Sequence, residues 1–149
     1  MIRWLLLSFC LMSSSGVALG ADYDAALAQR LGADEYGMKQ YVLVILRTGP
    51  KTDMAKDARA KVFRAHMANI KRLATEGKLV VAGPFEDNDS HFEGIFIFNV
   101  ATVAEADPLI KSDPAVAAGL IAYEAYAWYG SAALQEVGAI HARIAKSAP

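Results

Sequence analysis

The chain has 149 residues, one cysteine, and a formal charge of −1 from 15 basic and 16 acidic side chains. That length favours one domain. The near-balanced charge argues against nucleic acid or an anionic membrane surface as a partner.

The first twenty residues read as a targeting segment. Arg3 gives a short positive start, and WLLLSFCLM is an apolar run too short to span a bilayer. Ala18 and Gly20 stand at the −3 and −1 positions of a cleavage site before Ala21. The expectation is a cleaved signal peptide over residues 1–20 and a secreted or periplasmic protein. Cys10 lies in that segment, with Phe9 where a lipoprotein signal carries a small residue. Removing 20 of the 149 residues leaves 129, without a thiol and with a charge of −2, because Arg3 is the only charge lost. The mature chain then has no disulfide, cysteine nucleophile or thiolate metal site, and its stability must come from a packed core. No second apolar run is long enough to span a membrane.

Residues 21–39 mix small, charged and glycine residues, with a short helix over about 25–31, and read as a tether or loosely docked arm. YVLVILR (41–47) is a β-branched, apolar strand ended by Thr-Gly-Pro. Thr52 or Asp53 caps a helix that runs to about Glu76, where Gly77 stops it. LVVAG (79–83) is the second strand, EDNDSH a polar loop, and FEGIFIFNV (92–100) the third strand. Thr102 begins a shorter helical stretch, TVAEADPLIKS, in which Pro108 predicts a kink or a restart at Asp107-Pro108. Asp113-Pro114 punctuates again, and LIAYEAYAWY (120–129) is the fourth strand. Ser131 caps a last helix with Leu134, Val137, Ile140 and Ile144 at helical spacing.

This order is the split β-α-β pattern of a ferredoxin-like α+β fold with an antiparallel sheet and an extra C-terminal helix. The expected organisation is a signal peptide (1–20), an arm or linker (21–39), the α+β domain (40–130) and the C-terminal helix (131–149). Two helices cover one face of a four-stranded sheet, so the other face should be polar at alternate positions. It is not. Tyr41, Leu43 and Ile45 oppose Val42, Val44 and Leu46, and Ile95 and Ile97 oppose Phe96 and Phe98. The C-terminal helix could cover part of the second face. A second subunit stacked sheet to sheet covers more of it, and a homodimer is expected.

Projected at about 100° per residue, the first long helix puts Val62, Phe63, His66, Met67, Ile70, Leu73 and Ala74 on one face. His66 therefore sits on the buried side. An imidazole there is either a core residue satisfied by one backbone carbonyl or a functional base with an acidic partner. Asp113 and Asp107 both precede proline, both suit a helix cap, and spacing does not choose between them. Arg47, at a strand end, could meet an anionic substrate group or face water. Glu124, flanked by tyrosines, could line a cavity or face water at a dimer edge. These two are the candidate substrate-binding residues. His91 falls in a polar loop and His141 on the last helix, and no histidine pattern predicts a metal site. Gly83-Pro84 reads as a turn and not a phosphate loop, so no cofactor is expected.

HMANIKRLATEGKLVVAGPF, the strand GIFIFNV, SDPAVAAGL and a strand ending in Tyr-Ala-Trp together resemble the YciI-like (YCII-related) family over roughly residues 40–130. The resemblance implies a ferredoxin-like dimeric α+β barrel. It implies an active site built on the helix histidine and the aspartate of the Asp-Pro motif, here His66 and Asp113. Most members lack an assigned reaction, while relatives include dehydrochlorinase-like lyases for chlorinated aromatics, and the wider superfamily holds isomerases and monooxygenases. The chain departs from the pattern at Ala115, where the family carries an aromatic, a change expected to enlarge or depolarise the wall near Asp113, and in its signal segment. The expected function is proton transfer on a small organic molecule, of lyase or isomerase type and without a cofactor. The alternative is a non-catalytic periplasmic small-molecule-binding or structural module.

Overall fold

A computed structural model describes residues 22–147. The expected signal peptide lies outside the described residues. The elements in order are α1 (Ala25–Leu31), β1 (Met38–Thr48), α2 (Lys56–Thr75), β2 (Leu79–Pro84), β3 (Phe92–Phe98), α3 (Val103–Lys111), α4 (Pro114–Ala117), β4 (Ile121–Ser131), a 3-10 turn (Ala132–Glu136) and α5 (Val137–Ile144). The strands form one antiparallel sheet in the order β2-β3-β1-β4. This is the expected ferredoxin-like α+β arrangement, in which the sequence-adjacent strands β2 and β3 pair as a hairpin and β1 lies between β3 and β4.

The core lies between the sheet and the helices. Val42, Val44 and Leu46 of β1 and Phe96 and Phe98 of β3 bury one sheet face against Leu73 of α2, Ala106 and Ile110 of α3, and Ala115 of α4. The inward track of α2 is His66, Asn69 and Leu73. It is rotated from the face expected from apolar spacing, since Met67 is 41% exposed. The apolar stripe of α2 is wider than its contact with the sheet. Its Met67–Ile70–Ala74 edge turns sideways and lines a groove of about 780 Å³ with α5.

Local signals explain most boundaries. The end of α2 is a Schellman motif, with the Gly77 amide donating to Ala74 O and the Lys78 amide to Leu73 O. Its start is later than expected. Neither Thr52 nor Asp53 caps it, and the N-cap is Ala55, with no side-chain bond. Asp53 pairs instead with Lys51 at 2.8 Å, and Met54 turns into the core. In α3, Thr102 and Glu105 form a capping box, and the helix continues through Pro108. The proline removes the amide that would donate to Ala104 O, and Ala104 is exposed, so water can serve that carbonyl.

The second sheet face is apolar over Leu43, Ile45, Ile95 and Ile97 and carries the Arg47–Glu124 pair at one end. Leu43 pairs with Ile97 and Tyr126, and Ile45 with Ile95 and Glu124. The C-terminal helix does not cover this face. It lies beside α2 and the edge strand β2 and buries no residue of its own, leaving Ile140 and Ile144 exposed. The chain itself closes the Tyr41 end, where Trp128 packs on the ring and the hydroxyl donates to Ser131 O at 3.1 Å, and Ile97 is buried as well. The segment expected as a tether or loosely docked arm docks at several points. Leu31 is buried and its carbonyl accepts from Gln135, Asp34 accepts from the Tyr129 hydroxyl, and Met38 and Lys39 extend β1.

Gly49 joins the β1 end to the α4–β4 turn. Its amide donates to Leu120 O at 2.8 Å, and a Cβ there would stand 2.2 Å from Gly119 O and 2.6 Å from the Leu120 carbonyl carbon. Backbone cannot retreat as a flexible side chain can. Gly49→Ala should therefore destabilise by about 2 kcal/mol, read as a lower urea midpoint at unchanged slope. A variant within about 0.5 kcal/mol of wild type would show that this contact is not close.

Candidate active site

Tyrosine aside, three polar residues are buried among those described, namely His66, Asn69 and Asp113. All three lie where α2 packs on α4. Burying polar groups is costly unless they are hydrogen-bonded, so such a cluster calls for a specific account.

Asp113 is held by its own turn. It is the N-cap of α4, with Pro114 at the first helical position, and Oδ1 accepts the Ala115 amide at 2.8 Å. Behind α4, Gly119 adopts φ +73°, a left-handed conformation that a β-carbon disfavours, and returns the chain to β4. The carboxylate is wholly buried and meets His66 Nδ1 through both oxygens, at 2.9 Å from Oδ1 and 2.7 Å from Oδ2. Phe96 of β3 stacks on the His66 ring at 6.2 Å between centroids, and Phe63 meets it edge-on at 5.7 Å. His66 itself retains 8% exposure.

A carboxylate can only accept, so Nδ1 must carry the proton that joins the pair. The neutral tautomer then leaves the lone pair on Nε2, the nitrogen turned away from Asp113. The arrangement thus presents a fixed imidazole with an accepting nitrogen, backed by a carboxylate that stabilises the ring once it gains a proton.

The structure separates the two aspartates that spacing left equivalent. Asp107 accepts from the Tyr123 hydroxyl at 2.8 Å and pairs with Lys111 at 2.7 Å. The Lys111 ammonium, and after it the Tyr123 hydroxyl, hold the Asp107 carboxyl below its ordinary range. Burial and then Asp107 raise the Tyr123 phenol.

Arg47 and Glu124 are brought to each other but not to the dyad. Arg47 follows the Leu43–Ile45 alternation, and Glu124 faces Ile45 across the ladder, so both occupy the sheet face opposite His66. Arg47 Nε donates to Glu124 Oε1 at 2.7 Å, its guanidinium lies 4.4 Å from the Phe92 ring centroid, and Nη1 donates to Ser90 O at 3.1 Å. The Tyr126 hydroxyl, then Arg47, hold the Glu124 carboxyl below its ordinary range. With each other as partners, these residues do not form one substrate pocket with His66 inside a subunit. Ala115, expected to enlarge or depolarise the wall near Asp113, is fully buried in the core.

Asn69 was not singled out in the sequence. It sits three residues after His66 on the same side of α2, and Oδ1 accepts from Arg72 Nη2 at 2.8 Å. The signal available was the His66–Asn69–Leu73 spacing, which reads as one face at three and four residues. The groove beside α5 is lined by Met67, Lys71, Ala74, His141 and their neighbours, and not by the dyad. Among the described residues no three His, Cys, Asp or Glu side chains gather as a metal site, and no helix is long and apolar enough to cross a membrane.

No curated protein matches the chain. Among solved structures, the 5-chloro-2-hydroxyhydroquinone dehydrochlorinase TftG from Burkholderia phenoliruptrix AC1100, in complex with 2,5-dihydroxybenzoquinone, is similar at 23% identity, with a TM-score of 0.42 over 58% of this chain and 92% of that one. The model of the YCII-related domain matches residues 40–128, which include α2, the Gly83-Pro84 pair that ends strand β2 where a turn was expected, the Asp113-Pro114 corner and almost all of the sheet, and the chain belongs to that family.

Proposed function

We propose that the protein is a cofactor-free enzyme that moves a proton on a small organic substrate, with His66 as the base and Asp113 as its orienting partner. The observation that carries this reading is the two-oxygen contact of a wholly buried carboxylate with His66 Nδ1. A core histidine needs one backbone acceptor. A histidine fixed in one tautomer by a buried acid has the arrangement of a general base.

The step is a simple one. Nε2 takes a proton from an sp3 carbon beside a carbonyl, that of a phenol's keto tautomer included, and the C–H electron pair moves into the conjugated system. In an isomerase the imidazolium returns the proton to another carbon. In a lyase the electron pair expels a leaving group such as halide as the new double bond forms. Asp113 stabilises the imidazolium in either case.

The test is a panel of enolisable ketones, enol lactones and chlorinated hydroquinols in D2O. Solvent deuterium uptake and chloride release are the readouts. Turnover that depends on His66 supports the reading, whereas turnover that survives its loss removes it.

We further propose that the apolar second sheet face is covered by a second copy of the chain. Leu43, Ile45 and Ile95 are only half-buried there, and Tyr126 is 48% exposed. Stacking two such faces buries them without an added element. Light scattering at micromolar concentration should give a dimer, and Ile45→Lys a monomer. A monomeric wild type removes the proposal. A secreted or periplasmic location is proposed on the apolar run and small-residue cleavage pattern of residues 1–20.

A further inference from the structure

Asn69 Nδ2 is the one buried side-chain polar atom among the described residues with no hydrogen-bond partner in the protein. The residue is 9% exposed. A buried donor left unpaired is destabilising, and rotating the amide is the usual remedy. Here that remedy is blocked. Oδ1 is held by Arg72 Nη2 at 2.8 Å, and Arg72 is held in turn by Glu76 at 2.8 Å and by Ser112 Oγ at 3.4 Å, next to Asp113. Arginine can only donate, so turning the amide would set donor against donor. With Oδ1 fixed on Arg72, Nδ2 occupies the other prong of the carboxamide, away from Arg72.

The position of this donor gives it a use. Residues three apart on a helix have β-carbons about 5–6 Å from each other, so Asn69 and His66 are immediate neighbours on the face that meets α4. When a base removes a proton from an sp3 carbon beside a carbonyl, charge accumulates on the oxygen two bonds away. A preorganised amide N–H at that distance stabilises it.

We infer that Asn69 is a substrate-binding residue whose Nδ2 donates to the substrate oxygen that becomes negative as His66 takes the proton. The substrate class this selects is an enolisable carbonyl compound, including the keto tautomer of a phenol, with its oxygen acceptor on the carbon next to the reacting one. In the step the C–H bond breaks, the proton goes to Nε2, the electron pair delocalises into C=C–O⁻, and the oxyanion accepts from Asn69. The inference rests on the proton-transfer reading of the dyad.

The test pairs stability with binding of an oxyanion mimic. Asn69→Leu keeps the side-chain size and deletes the unpaired donor, while half-exposed Arg72 can turn to water. A donor kept for a ligand predicts that the ligand-free variant melts about 3 °C higher than wild type. 4-Nitrophenolate, followed by absorbance and by the His66 ring 15N signals, should bind the wild type and bind Asn69→Leu at least tenfold more weakly. A lower melting temperature shows a structural amide and overturns the inference. Unchanged 4-nitrophenolate affinity, or no binding to the wild type, overturns it as well. None of these results bears on whether His66→Gln retains turnover, which judges the dyad separately. If His66→Gln remains active while 4-nitrophenolate binding still needs Asn69, the dyad reading fails and Asn69 stands only as an oxyanion-binding donor, without the role in proton transfer to His66.

Discussion

Asp113→Ala should lower the unfolding free energy by about 3–5 kcal/mol, a large part of a normal domain's stability. The side chain does three things at once. Its Oδ1 caps α4 through the Ala115 amide, both oxygens hold His66 Nδ1, and the group is fully enclosed. Alanine leaves two buried donors without acceptors, each costing about 1–3 kcal/mol, and adds a small cavity. Asp113→Asn separates these roles. Its Oδ1 still accepts from Ala115, so the cap survives with a loss of about 1 kcal/mol. Its amide nitrogen, however, can only donate to His66. The imidazole must then accept at Nδ1 and carry its proton on Nε2, the nitrogen that should serve as base. The asparagine variant should therefore fold and be inactive, with the tautomer change visible in the 15N spectrum of His66. Urea titrations of both variants check the stability order. An alanine variant within about 1 kcal/mol of wild type would mean that Asp113 is not the enclosed partner described here.

How far the sequence revealed this arrangement depends on which signals were local. Alternating and β-branched runs located all four strands, because a strand's pattern is written in its own residues. Gly77 and Asp113-Pro114 marked their turns for the same reason. The start of α2 was misplaced because Thr52 and Asp53 looked like caps. The choice was made by Met54, which the core recruits, and by Lys51, which takes Asp53. Pro108 looked like a break, yet the carbonyl it deprives lies on exposed Ala104, so the helix continues. The C-terminal helix had the correct period but not the place expected of it, because periodicity says that a face is apolar and not what it meets.

The site divides in the same way. The burial of His66 was legible from helical projection. Its partner was not legible from spacing, since Asp107 and Asp113 have identical local chemistry, and it was the family resemblance that pointed to Asp113. The Tyr123 hydroxyl and Lys111 occupy Asp107, which only the packed structure reveals. Arg47 was singled out as a cation at a strand end and Glu124 as an acid flanked by tyrosines. Their alternation with Ile45 carries them to the opposite sheet face, where each satisfies the other. Asn69 was missed because a polar residue next to a long apolar stripe draws no attention until its burial and its unpaired amide are known.

His66→Gln should reduce turnover of any substrate found by 10²- to 10⁴-fold, the usual contribution of a positioned general base. Glutamine can satisfy Asp113, because its amide N–H can donate where Nδ1–H did. It has no nitrogen able to take up a proton near neutral pH. The variant should keep the wild-type melting temperature within a few degrees and retain substrate affinity, so the loss should fall on kcat and not on KM. This split distinguishes the two classes of function that the dyad permits. A binding module loses affinity or nothing when the imidazole is replaced. A base loses the chemical step while binding persists. The Asp113→Asn variant supplies the cross-check, because it leaves the imidazole in place and changes only where its proton sits. If the dyad acts as a unit, the double variant His66→Gln/Asp113→Asn should be no slower than the worse single variant. Additive losses would mean that the two residues act independently, and the contact between Asp113 and His66 Nδ1 would then be structural.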